Sequence, residues 1–394
     1  LDAPSDNAPV LARFLYVLGQ GAMCTLVYAE RMANIVKKVR DINAAVAKQK
    51  ASAPASKATA KKTAEDASAA AADNMEAEMG LTAALDAEHD RNFAHMTEFE
   101  LAFNGDNLFG KFHAFVAFIA ANENGQFGSM LLRHTSTVAL CRFMSISSTL
   151  CEQYLPLLFT ILECEDSAIN VDIASASAGQ LRTTIMICLG DLAFRFPNAL
   201  EPWTNRMYAR LADADTNVRY NTLMVLTHLV LNDMIKVKGQ VVHVVLCISD
   251  KTQAIQDLAK LLFRELSKRS NNPVYNLLGD IIAQLSATAG IVSGLKNVDQ
   301  SIESAGSESA PEIAAAATDS VTDLRVLSNV EFQQTMSFLL QFVNKDKQGD
   351  SLLERLLCRF ATSISTRQNR HLSYCISQLP ITEKGVKKMV DLFK

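Results

Sequence analysis

Glycine and proline are scarce, 16 and 9 in 394 residues, about half of the roughly 12 per cent they jointly hold in ordinary proteins. Turn-dense β-sandwiches and propellers need more of both, so helices become the default. Also lacking is any run of 18 uninterrupted apolar residues, so no membrane span is expected. The start, Leu1-Asp2-Ala3-Pro4, has neither an initiator Met nor a basic-then-apolar signal pattern, and the chain reads as a piece of a longer one. The eight cysteines (Cys24, Cys141, Cys151, Cys164, Cys188, Cys247, Cys358 and Cys375) form no C-x-x-C pair. Most sit in apolar runs, as buried thiols in a reducing compartment do. The seven histidines show no H-E-x-x-H spacing; His228 and His243 read as packed or surface residues, and no metal site is expected.

What is present is apolar surface. Hydrophobic residues make up 49% of the chain and charged ones 20%, enough for a large buried core and too apolar for a disordered chain. The formal charge of -4 gives no reason for wholesale affinity to nucleic acid or membrane. That total hides an asymmetry. Residues 64–106 carry eleven acids against one Arg, whereas residues 352–394 carry eight Lys/Arg against three acids.

The spacing of apolar residues predicts N-terminal helices over 10–43. Residues 44–75 are Ala, Lys, Ser and Thr with almost no large apolar side chain, and should be a disordered insertion. Its Lys57, Lys61 and Lys62 read as part of a solvated linker in preference to a weak nuclear-import signal. Helical repeats should fill 76–285, a flexible Ser/Ala/Gly-rich loop 286–322, and further repeats 323–394.

The repeat aligns four segments without internal gaps, starting at Leu132, Leu181, Val218 and Ile255. Eight residues on stand Leu140, Leu189, Leu226 and Phe263. Eleven on stand Phe143, Leu192, Leu229 and Leu266. Ten on, the column is polar: Arg142, Asp191, His228 and Glu265. Positions 0, 8 and 11 share one face of a helix and position 10 points away. The last three copies start 37 residues apart; a low-complexity run at 171–180 widens the first interval, and Leu372, Ile376 and Leu379 fit a weaker fifth copy. Two helices per 37 residues is the HEAT/armadillo range. The fold class expected is therefore all-α, a HEAT-repeat α-solenoid with low-complexity insertions. Asp213 and Asp215 ahead of Val218-Arg219 favour a helix start there, and an Arg on that helix can reach acids of a stacked neighbour.

No catalytic constellation emerges. Gly105 to Lys111 matches G-x-x-x-x-G-K, but Phe112 follows where a Ser or Thr would have to bind magnesium, and the flanks read as helix. Gly19 and Gly21 lack the third Gly of a dinucleotide fingerprint. No G-x-S-x-G or kinase signature appears. No enzyme, cofactor or small-molecule substrate is expected. Trp203, the single Trp, reads as a core anchor of an inter-helix turn or as an interface hot spot.

Several dense segments carry a resemblance. The run Leu189-Gly190-Asp191-Leu192-Ala193-Phe194-Arg195-Phe196-Pro197-Asn198, then Glu201-Pro202-Trp203-Thr204, Asp233-Met234-Ile235-Lys236-Val237-Lys238-Gly239, Lys345-Asp346-Lys347-Gln348 and Tyr374-Cys375-Ile376-Ser377-Gln378-Leu379-Pro380 resemble the C-terminal half of the condensin complex subunit 1 family, the non-SMC HEAT-repeat subunit of condensin. The insertions at 44–75, 171–180 and 286–322 depart from that pattern. The resemblance implies a non-catalytic scaffold that binds the kleisin subunit and an SMC ATPase head and helps engage DNA in mitotic chromosome condensation. It also implies a place in the nucleus and on chromosomes, with a cytoplasmic pool. Lys236, Val237, Lys238 and Gly239 resemble the family's lysine-glycine loop implicated in docking the SMC head. From the residues alone, two lysines before a Gly equally suit a helix C-terminus. Arg355, Arg359, Arg367, Arg370, Lys384, Lys387 and Lys388, spaced three and four apart within each set, are candidates for weak, salt-sensitive phosphate contacts with double-stranded DNA; a solvated face is the alternative. The rival overall reading is a HEAT adaptor in vesicle-coat or nuclear-import transport.

Overall fold

The computed structural model describes residues 7–51, 84, 86–103, 105–122, 125–163, 171–236, 240–269, 272–295, 325–343, 345–363 and 365–392. Every regular element among them is helical. The chain divides into two compact units, residues 1–177 and 178–394.

In the first unit the long helix α1 (Ala8–Ala51) packs on α3 (Met130–Met144), which also meets α2 (Leu108–Ala121) and α4 (Ser148–Glu163). Ala12, Leu15, Leu18, Ala22 and Leu26 form the buried stripe of α1. Gly19 is there for close approach: a Cβ on it would stand 2.9 Å from the Ala139 Cα. Residues 44–51 continue α1, so the expected insertion starts later than its first residue; its remainder, 52–75, lies outside the described residues. Over residues 8–43, α1 is also long and apolar enough to cross a membrane by length and composition, although scattered charges keep it below 18 uninterrupted apolar residues. A core helix with one face buried in protein passes the same test.

The acidic region 64–106 is, in its described portion, tied into this unit. Asp86 pairs with Arg40 and Lys37 of α1. A π-helical turn, Met96–Leu101, aims Glu98 at the start of α4. There Glu98 accepts hydrogen bonds from the Ser148 N–H at 2.7 Å, the Ser148 hydroxyl at 2.8 Å, the Thr149 hydroxyl at 3.0 Å, and the Ser147 hydroxyl. Burial works to raise the Glu98 pKa, but these donors outweigh it and hold the carboxyl below its ordinary value. A carboxylate borrowed from fifty residues away thus caps α4. The G-x-x-x-x-G-K match lies between these parts: Asn107 caps α2 through the Phe109 N–H, and a helical turn precedes it where a phosphate loop needs a strand.

In the second unit the helices follow in pairs. The lead row is made of α6 (Pro197–Leu200), α7 (Thr204–Ala209), α9 (Val241–Cys247), α11 (Pro273–Leu295), α13 (Asp346–Thr362) and α15 (Glu383–Leu392). The second row is α5 (Val171–Arg195), α8 (Thr216–Leu231), α10 (Gln253–Ser267), α12 (Asn329–Leu340) and α14 (Thr366–Gln378). Within rows, α8 packs on α10, α12 on α14, α9 on α11, α11 on α13 and α13 on α15. This is the stacking of a HEAT-repeat solenoid.

The repeat columns explain the stacking. Positions 0, 8 and 11 are buried in all four copies, at Leu132, Leu181, Val218 and Ile255, at Leu140, Leu189, Leu226 and Phe263, and at Phe143, Leu192, Leu229 and Leu266. Each such side chain contributes on the order of 2 to 3 kcal/mol of transfer free energy. The polar column at position 10 stays partly or wholly exposed. In the weaker fifth copy Leu372 and Leu379 are buried, but Cys375 takes the core place next to a half-buried Ile376. Two expected irregularities are shorter than their sequence suggests: 171–180 lengthens the N-terminal end of α5, and residues 286–295 continue α11, so the expected loop starts no earlier than 296.

Burial pushes the thiols of Cys151, Cys247 and Cys375 up to about 12, which leaves them protonated and inert at neutral pH.

Candidate interaction surfaces

The polar groups of the second unit form two contrasting sets. The first is a ladder with the period of the repeat. Arg182 on α5 donates to Asp213 through Nε at 2.9 Å and a second nitrogen at 3.1 Å. Thirty-seven residues on, Arg219 on α8 donates to Asp250 at 3.0 and 3.3 Å. Arg219 also holds the carbonyls of Asp213 and Ala214, each at 3.0 Å, and so links one rung to the next. Asp213 and Asp250 accept from the N–H groups of Asp215 and Thr252 and shape the turns that start α8 and α10. The Asp213 side chain is only 4% exposed and also stands 3.7 Å from Arg210. For Asp250, burial works to raise the pKa, but Arg219 and the Thr252 N–H outweigh it and hold the carboxyl below its ordinary value. An Arg reaching the acid of a stacked neighbour was legible in the sequence; these are the pairs.

The loop after α8 is a different case. Asn232 caps α8, and the left-handed residue that ends the helix is Asp233, at φ 58°, with the Met234 N–H returning to the Leu229 carbonyl at 2.9 Å. The alternative reading of Lys236 to Gly239 as a helix C-terminus does not concern α8, which Asn232 and Asp233 finish earlier. Arg269, beyond the end of α10, donates to the carbonyls of Val230 and Leu231 and pairs with Asp233, placing a cation at the negative end of α8. With capping accomplished elsewhere, Lys236 is exposed. It lies at a pocket of about 270 Å³ lined also by Glu201, Tyr208 and Gln240. Val237, Lys238 and Gly239 lie outside the described residues.

Trp203 sits in a short 3-10 turn, Glu201–Trp203, half-buried, with the Arg206 guanidinium 5.1 Å from its ring centroid. It belongs neither to the fully buried core nor to the open surface.

The seven C-terminal cations divide. Arg359 donates to the Gly279 carbonyl and stands 3.7 Å from Asp280. Arg367 donates to the Leu327 carbonyl at 2.6 Å. Lys388 pairs with Glu354 at 2.6 Å. Arg355, Arg370, Lys384 and Lys387 are exposed. Sequence spacing grouped all seven; the structure ties down three of them, Lys388 at an exposed site, and leaves the other four exposed. Arg367 and Arg370 flank His371, whose ring stacks on Phe332 at 3.8 Å and bonds Asn329 at 3.2 Å. Burial and then the two arginines push its imidazole down to about 4. Nothing in the sequence marked this histidine, whose aromatic partner lies 39 positions away.

Comparison with known proteins adds a second line of observation. A family model described as non-SMC mitotic condensation complex subunit 1 matches residues 180–377. "Condensin-1 complex subunit CAP-D2" of Arabidopsis thaliana is 37% identical over 393 residues, covering 98% of this chain and 23% of the relative. "Condensin complex subunit 1" of Homo sapiens is 37% identical over 322 residues, 81% of this chain and 19% of the relative. The Mus musculus protein of the same name is 33% identical over 398 residues, 99% of this chain and 24% of the relative. The chain thus spans about a quarter or less of the length of these relatives.

Proposed function

The chain belongs to the condensin complex subunit 1 family, and from that premise we propose that it acts as a non-catalytic scaffold, gripping the kleisin subunit and an SMC ATPase head and helping to engage DNA in mitotic chromosome condensation. Its place of action is the nucleus, on chromosomes. The observation that carries the reading is the division of cations: Arg182 and Arg219 are consumed by the ladder, while Lys236, Arg355, Arg370, Lys384 and Lys387 face solvent.

Lys236 is the described member of the loop proposed to dock the SMC head. It stands on a base fixed by Asp233 and Arg269, so docking needs little ordering of that base. The four exposed C-terminal cations are the proposed DNA contacts. Phosphate contacts of this kind give sequence-independent binding whose affinity falls steeply with salt. The kleisin-binding residues are not assigned to any of these groups.

The test is a DNA titration across a salt series with Arg355, Arg370, Lys384 and Lys387 all changed to Glu. The expected result is weaker binding and a slope of log K against log salt reduced by about 3 to 4, at roughly 0.9 per lost contact. An unchanged affinity and slope would end the DNA assignment. In parallel, Lys236→Glu is expected to weaken binding of the SMC head and leave the DNA slope unchanged.

A further inference from the structure

The second row of helices does not close evenly along its length. Between α10 and α12 the row opens into a cleft of about 690 Å³, floored by Ser249 and the buried Thr335, whose hydroxyls lie 2.8 Å apart. On one wall Lys260 and Arg264 stand one turn apart on α10. On the other, α12 presents the exposed amides of Gln333, Gln334 and Gln341, with Ser337 between them. None of the lining residues is acidic. Arg264 is held in place over the ring of Phe338, 5.7 Å from its centroid. Lys260 donates to the Gln256 side-chain Oε1 at 3.4 Å, and the Gln256 Nε2 donates to the Asp250 backbone carbonyl at 2.8 Å. The cations are thus positioned, and the three α12 amides each offer a donor and an acceptor to whatever enters.

We infer that this cleft is a docking site for an acidic polypeptide segment in extended conformation. An extended chain exposes alternating N–H and C=O groups along its edge, and a row of carboxamides can pair with both. The lining from Gln256 to Arg264 runs about 12 Å along α10, at 1.5 Å per residue. That is the reach of roughly four residues at about 3.3 Å each. Uncompensated positive charge on one wall selects carboxylates on the incoming segment. Double-stranded DNA is a poorer fit, because a duplex is far wider than the space between two neighbouring helices in a solenoid row. The inference stands on the lining of the cleft alone and needs neither the Lys236 nor the DNA assignment.

The experiment is fluorescence anisotropy on the whole 394-residue chain with a fluorescein-labelled octapeptide of Glu, Ser and Leu carrying four carboxylates. A peptide with Lys in place of every Glu serves as control. Saturable binding of the acidic peptide, at least tenfold tighter than the basic one, is expected. Lys260→Glu with Arg264→Glu should weaken it at least tenfold, and Gln333→Ala with Gln334→Ala several-fold. Ser337→Trp, which fills the cleft without changing its charge, should abolish binding while the thermal melting curve stays as in the parent. That variant decides the matter if charge reversal disturbs folding. Equal binding of the two peptides would overturn the assignment, as would full affinity in Ser337→Trp. Displacement of the acidic peptide by a single-stranded oligonucleotide that binds the same cleft more tightly would also overturn it, in favour of nucleic acid.

Discussion

The repeats over 181–267 and the helices over 329–392 use arginine in opposite ways. In the former, Arg182 and Arg219 lie across the stacking boundary, with the acids 31 residues further along the chain, and are 19% and 14% exposed. In the latter, Arg359 and Arg367 find backbone carbonyls and Arg355 and Arg370 face water. The same side chain is part of the framework where a period-matched Asp or a neighbouring carbonyl meets it and part of the surface where neither does. A HEAT array can therefore hold itself together with one set of cations and offer another to its partners.

Breaking the ladder should have the largest effect. Asp213→Ala leaves the part-buried Arg182 guanidinium without its acid partner, and is expected to cost about 3 kcal/mol. Urea denaturation monitored by circular dichroism would read it as a lower midpoint. The comparison sharpens if Arg182→Met is added: removing both charges should recover much of the loss. A loss from Asp213→Ala no larger than that from Arg355→Ala would erase the distinction between the two regions.

Acid should separate the regions next. Because the Asp250 carboxyl lies below its ordinary value, its contribution is complete above about pH 4, the usual carboxylate range, and is lost as pH falls through its lower folded value. His371 has a different window. Its imidazole, pushed down to about 4, is neutral in the folded chain where the unfolded chain would bind a proton. Stability from that group is complete above about 6.5 and declines as pH falls from there to about 4. Denaturation midpoints measured against pH should flatten between pH 6.5 and 4 in His371→Gln, and below about pH 4 in Asp250→Asn. An unaltered pH profile in His371→Gln would remove the histidine from the account.

These effects show what the sequence discloses and why. The core columns were legible because stacking reuses one helical face, and Leu189, Leu226 and Phe263 recur at the interval that carries them into the core. The ladder was half legible: the acids before Val218 pointed to a helix start and to a reachable neighbour, but Arg182 with Asp213 is a contact only once two repeats stack. The division of C-terminal cations was not legible, because the Arg359 acceptor is the Gly279 carbonyl eighty residues away, and main-chain acceptors leave no mark in composition. The end of α8 was not legible, since Asp233 adopts the left-handed conformation that a Gly would adopt more easily. The cleft at Lys260 and Arg264 exists only through the spacing of two helices separated by more than sixty positions.

The smallest effect on stability is expected from the exposed cations themselves. Lys236→Glu and Arg370→Glu should each shift unfolding free energy by no more than about 0.5 kcal/mol, as read from the same denaturation curves. Large losses would show that these residues belong to the framework.

The most direct test of the scaffold reading is co-purification. The tagged chain, mixed with a kleisin and an SMC head and, separately, with transport cargo peptides and a small GTPase, is recovered by affinity and then by size exclusion. The account predicts a stoichiometric complex with the kleisin and SMC head; recovery of the chain alone, or with the transport components instead, would contradict it.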